Sequence, residues 1–169
     1  MEWGVQIHRA VRSEELDRLV HAGLGRITVP LPWGWCERKK GQWDFAGVDH
    51  FLAPVRSSGL PLQGVLGPGI SEFIPSWLLS EGGAAAADYI DLFAASCARL
   101  AEHCDDFVTF RVEQDLNAAF WWDGLRTRKR RGAVWRDASF RMDLLGASLA
   151  AVRMVRPDAE LRTTLRPGV

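Results

Sequence analysis

Four polar side chains crowd one short stretch, Glu113, Gln114, Asp115 and Asn117, and three aromatic ones follow, Phe120, Trp121 and Trp122. These residue types together suit a sugar site: a carboxylate moves a proton at a glycosidic bond, amides grip hydroxyls, and indoles cover the apolar face of a sugar ring. The residues just before them, Phe107, Val108, Phe110 and Val112, are apolar and β-prone. The stretch therefore reads as a buried strand that delivers its polar groups at its C-terminal end. It reads equally well as a strand end followed by a polar loop with a few anchoring aromatics.

Other groups carry weaker signals. His8 closes the first apolar run and is a candidate proton shuttle or hydroxyl ligand, although a histidine there is also a common hydrogen-bonded core residue. His21, His50 and His103 fall on predicted helices without metal-ligand spacing. Cys36, Cys97 and Cys104 are odd in number and lack a CxxC spacing, so free buried thiols are expected, with no metal site and no cofactor. The basic run Arg126, Arg128, Lys129, Arg130 and Arg131 has no accompanying aromatic pattern for bases and reads as a solvated loop rather than a nucleic-acid patch. Eight tryptophans against one tyrosine point to a deep pocket, an interface, or both. Trp33, Trp121 and Trp122 are the ones expected at the mouth of a site.

The positioning elements follow from the pattern of the chain. With 169 residues, residues 1–169 are expected to form a single domain large enough for a substantial core. A net charge of zero gives no pull toward nucleic acid or membrane and favours self-association. No signal peptide opens the sequence and no apolar run approaches a membrane span, which predicts a cytoplasmic protein. Strands are expected over Trp3 to His8, Arg26 to Leu31, Leu60 to Leu66, Phe107 to Val112 and Ala159 to Leu165.

Between the strands, a helix opens near Ser13 with Leu16, Leu19 and Val20 on one face. A second runs from Phe45 to Ser58 behind an Asp44 cap, carrying Val48, Phe51, Leu52 and Val55 toward the core, with Pro54 a possible kink. Pro75 to Leu79 suggests a short helical turn carrying Trp77. Ala84 to His103 is the strongest helix signal, and Ser139 to Arg156, with Leu144, Leu145, Leu149, Val152 and Met154, the last. The segment PWGWCERKKGQWDF reads as a long loop. Strand and helix alternate throughout, so the fold class is α/β, about five parallel strands with flanking helices. An open doubly wound sheet and part of a (β/α)8 barrel both fit. HRAVRSEE after the first strand is not GxGxxG, which argues against a nucleotide-binding unit.

One order of features narrows the choice. GVQIH forms the first strand. The second strand leads into PWGWCERKKGQWDFAGVDHFL, SGLPLQGVLG supplies a third strand behind a Gly-Leu start, and Pro75-Ser76-Trp77 makes a turn. This order resembles the N-terminal half of a clan-A glycoside hydrolase (β/α)8 barrel, as in β-glycosidases and endoglycanases. The resemblance implies a partial, half TIM-barrel fold. It also places Gln114-Asp115-Leu116-Asn117 where that family carries an Asn-Glu-Pro-Asn-like motif whose glutamate is the general acid/base.

The departures limit the chemistry. Asp115 keeps the carboxyl but is one methylene shorter, and a misplacement of about an ångström costs ~10²-fold in rate. An arginine usual near the end of the second strand is Thr28 here. The family's nucleophile comes from a seventh strand, and a retaining mechanism needs two carboxylates roughly 5 Å apart. Glu37 is a conceivable second carboxylate. The resemblance thus implies a site of Asp115 as the catalytic carboxyl with His8, Trp33, Gln114, Asn117, Trp121 and Trp122 as substrate-binding residues. The ligand would be a sugar or glycosylated small molecule, without autonomous retaining activity. Alternatives are a half barrel completed by homodimerisation or a separate partner chain, and a non-catalytic structural or regulatory module.

Overall fold

The computed structural model describes residues 3–7, 10–67, 74–112, 134 and 137–164. In chain order these form β1 (Trp3–Gln6), α1 (Ser13–His21), β2 (Leu24–Pro30), α2 (Trp33–Cys36), α3 (Ala46–Ser57), β3 (Leu62–Leu66) and α4 (Ser76–Ser80). A 3₁₀ turn (Gly83–Ala85), α5 (Tyr89–His103), β4 (Thr109–Val112), α6 (Ala138–Val155) and β5 (Glu160–Arg162) follow. The strands form one sheet in the order β1-β2-β3-β4-β5, and every neighbouring pair is parallel. Among the described residues β1 and β5 are the two edges.

Side chains alternate along a strand, so each strand offers one set of residues to each face. One face is apolar: Ile27 and Val29 of β2 and Leu31 just after it, Leu62 and Leu66 of β3, and Phe110 and Val112 of β4 are all buried. The helices cover this face with Val48, Phe51, Leu52 and Val55 of α3, Phe93, Cys97 and Leu100 of α5, and Leu144 and Val152 of α6, in one core. Gly64 sits at the crowded centre of the same face. A Cβ there would lie 2.7 Å from Leu31 Cδ1, 3.0 Å from Phe110 Cδ1 and 3.2 Å from Phe107 Cδ2. Gly64→Ala is therefore expected to destabilise by about 1–3 kcal/mol through overpacking. Urea unfolding measures this, and a neutral or stabilising result would show that the three side chains can retreat.

Local rules account for most boundaries. Asp44 Oδ1 accepts the Ala46 N–H at 2.9 Å, and Gly59, at φ 67°, follows the end of α3. Pro54 lies inside α3, which runs on as one helix to Ser57. Asp137 caps α6 by accepting the Ser139 N–H at 2.9 Å. Some expectations are corrected. Gly82 and Gly83, at φ 119° and 60°, wind a separate 3₁₀ turn, so α5 begins at Tyr89 rather than Ala84. The PWGWCERKKGQWDF segment contains α2 and an isolated bridge between Lys39 and Gln42 rather than unbroken loop. Leu19 on α1 and Met154 on α6 lie outside the core, with Met154 84% exposed.

The N-terminal end of the sheet is fastened by Arg156, which is 8% exposed. Its Nη1 donates to the carbonyls of Cys104 (2.9 Å) and Ala101 (3.4 Å), and its Nη2 to that of Phe107 (2.9 Å). The guanidinium lies 5.5 Å from the Phe110 ring centre and also meets Asp158. One side chain after α6 thus satisfies the last carbonyls of α5 and the turn that feeds β4.

Candidate functional site

Of the residues singled out in the sequence, His8, Gln114, Asp115, Asn117, Trp121 and Trp122 lie outside the described residues, as do Glu113 and the basic run 126–131. Trp33 is described, and its place is a correction. It is 2% exposed rather than at a mouth. As the first residue of α2 it turns inward, edge-on to Trp77 (centroids 6.0 Å apart) and tilted against Phe93 (6.4 Å). Its indole N–H donates to Glu37 Oε2 at 2.6 Å.

Glu37 is itself buried, 6% exposed. Its other oxygen accepts the Gly41 N–H at 2.6 Å, and its backbone carbonyl accepts the Trp77 indole N–H at 3.1 Å. Lys40 lies 5.0 Å from the Trp77 ring centre and pairs with Glu81 at 3.2 Å. Each carboxylate oxygen of Glu37 thus accepts one bond from the loop after β2 and the side chain is enclosed, which suits a clamp rather than a proton donor facing a ligand.

The thiols are set apart from chemistry as well. All three cysteines are buried thiols outside any disulfide, and burial pushes Cys36 and Cys104 up to about 12, so neither forms a nucleophilic thiolate at neutral pH.

The sheet face turned away from the helices is polar, and sequence reading missed it. The register places Gln6, Thr28, Gln63, Thr109 and Glu160 side by side, one from each of the five strands. Thr28 Oγ1 donates to Gln63 Oε1 at 3.0 Å, and Thr109 Oγ1 to Glu160 Oε2 at 3.3 Å. Arg162 grips Glu160 with two bonds of 2.7 and 2.8 Å and holds its carboxyl below the usual range. Two residues further along β4, Arg111 Nη2 donates to Gln6 Oε1 at 3.1 Å. Thr28, Gln63 and Thr109 are each less than a tenth exposed, and their hydroxyl and amide groups are satisfied across strands. Part of the signal was present in the sequence. RITV and TFRV alternate polar and apolar residues, which parallel strands covered by helices on both faces do not do.

No family model matches the chain, and no curated protein matches it. Solved structures do. An exo-β-1,4-mannosidase from Opitutaceae bacterium strain TAV5 aligns with a TM-score of 0.72 at 17% identity, over 95% of this chain and 31% of its own. A β-glycosidase gives 0.68 at 20% identity over 90% and 44%. A thermostable mutant of a Cellvibrio japonicus xylanase gives 0.65 at 19% identity over 95% and 48%. This chain has the fold of part of a glycosidase barrel.

It spans less than half the length of each of these structures. In a (β/α)8 barrel the helices lie outside and the opposite sheet face lines the interior, with the site at the C-terminal ends of the strands. The row from Gln6 to Glu160 is therefore the inward face. Gln114 and Asp115 follow the last residue of β4, Val112, by two and three positions in the chain.

Proposed function

We propose that this chain is a glycoside hydrolase-like module that binds a carbohydrate or a glycosylated small molecule at the C-terminal ends of its strands. The observation that carries the reading is the shared barrel fold, with a carboxyl and two amides directly after β4. Asp115 supplies the carboxyl, Gln114 and Asn117 grip hydroxyls, and His8, Trp121 and Trp122 complete the wall. Trp33 and Glu37 hold the loop after β2 from within the core. These 169 residues alone are not expected to act as a retaining glycosidase: such a mechanism needs a second carboxylate about 5 Å away, and Glu37, the one the sequence offered, is engaged by the Trp33 indole and the Gly41 N–H.

The test is calorimetric titration with cellobiose, xylobiose and mannobiose, together with turnover of aryl β-glycosides. Asp115→Asn is expected to leave the circular dichroism spectrum intact and to weaken binding about 10- to 100-fold, the loss of a hydrogen bond to a charged group. Unchanged binding and turnover would remove Asp115 from the site.

A second reading, completion of the barrel by another copy or a separate partner chain, is favoured by one observation. β1 and β5 are each paired on one side among the described residues, and Trp3 on the β1 edge is 69% exposed. Light scattering over a concentration series tests it. A dimer whose formation brings aryl-glycoside turnover supports completion, and a monomer at all concentrations opposes a homodimer.

A further inference from the structure

β1 and β4 are not neighbours; β2 and β3 lie between them. On a flat sheet three strand spacings separate them by about 14 Å. Yet Arg111 Nη2 reaches Gln6 Oε1 at 3.1 Å, so the bond crosses the inward face and ties the two strands directly. It runs from Gln6, in the row of the Thr28–Gln63 pair, to Arg111, one layer nearer the C-terminal ends of the strands. Both partners are half-buried, and the donor is a charged, planar guanidinium, which gives the bond direction as well as strength.

We infer that Arg111 and Gln6 form a cross-sheet brace, a positioning pair that sets the separation of the strand ends carrying the site. The inference rests on the carbohydrate-binding reading for its ligand, but the brace can be observed without one. β1 is an edge strand held on one side by β2. The brace is a second tether, from the far side of the sheet. Without it, β1 can peel and change its spacing from β4. A displacement of about 1 Å at a site costs on the order of 10²-fold.

The experiment compares Arg111→Met, Gln6→Leu, the double variant and Gln6→Glu by amide hydrogen exchange and by disaccharide binding. Each single variant is expected to speed exchange over residues 3–7 about 10- to 100-fold while leaving β2 and β3 unchanged. The double variant should be no worse than either single one, and Gln6→Glu, which keeps an acceptor for the guanidinium, should restore protection. Unchanged exchange in β1, or additive single effects, overturns the brace. On the ligand side the single variants should weaken disaccharide binding about tenfold or more, with Gln6→Glu close to wild type. A loosened β1 with unchanged binding overturns the positioning role. If the wild type binds none of the three disaccharides, the carbohydrate reading fails while exchange still decides the brace. Arg111→Met affecting binding while Gln6→Leu does not would make Arg111 a direct ligand group and overturn the pair.

Discussion

Arg156→Met is expected to lower the stability of the folded chain by about 3–5 kcal/mol, the range for removing one partner of a buried, charge-assisted network. Methionine fills much of the volume and keeps the packing on Phe110, but it donates nothing. The carbonyls of Cys104 and Phe107, each 2.9 Å from the guanidinium, then lose a donor in a place water does not reach, and that of Ala101 loses a longer bond. Arg156→Lys is expected to recover only part of the loss, since a single ammonium cannot reproduce a fork that reaches two carbonyls through different nitrogens. Thermal unfolding should show a drop of about 10 °C for Met. Arg156 works at the N-terminal end of the strands, where a barrel stores stability rather than chemistry. Any ligand bound by the folded fraction should therefore bind with unchanged affinity. A change of less than 1 kcal/mol would show that the three carbonyls find other donors.

The same contrast explains how much the sequence disclosed. The alternation of strands and helices was legible because each helix carries a periodic apolar face. Val48, Phe51, Leu52 and Val55 were expected toward the core of α3, and all four are buried. That the five strands run parallel followed from the crossover lengths, which are general; their sequential order, β1-β2-β3-β4-β5, is what separates a partial barrel from the doubly wound sheet that the sequence left open. What periodicity could not show was the direction taken by a single side chain in an irregular segment. Trp33 looked like a mouth residue because tryptophan near a strand end often is one; a four-residue helix, α2, turned it into the core. Leu19 and Met154 failed for the opposite reason. Each continues an apolar helical pattern by one residue beyond the width of the buried stripe.

The inward face was also readable, and its signal was read too coarsely. Thr28, Gln63, Thr109 and Glu160 are unremarkable one at a time; the register aligns them into a row. A sequence specifies that row only jointly with the pairing, since a slip of one residue would send every member to the helix side. Arg111 and Gln6 stand 105 residues apart, and no spacing rule links them. Their contact exists because the sheet curls, a property of the whole chain.

Glu37 offers the sharpest separation of structural from chemical roles, because a buried carboxylate near a strand end invites a catalytic reading. Glu37→Gln is expected to cost about 2–4 kcal/mol of stability. The carboxylate accepts from two donors at once, the Trp33 indole N–H and the Gly41 N–H, both at 2.6 Å. A glutamine keeps one acceptor oxygen and turns an NH₂ toward the other donor, so whichever way the amide is set, two hydrogens face each other. The cost should shrink in a Trp33→Phe background, where one donor is gone and the amide oxygen can serve Gly41. A coupling of about 1 kcal/mol or more between the two substitutions, from urea unfolding of the four proteins, is the signature. Additive effects would mean that the two side chains do not share the bond. Were Glu37 instead the second carboxylate of a hydrolytic pair, the glutamine variant would fold as well as wild type and lose turnover. The clamp reverses both outcomes: stability falls, and disaccharide binding by the folded fraction stays the same. That reversal follows from the position of Glu37 between two donors, with its side chain almost wholly enclosed.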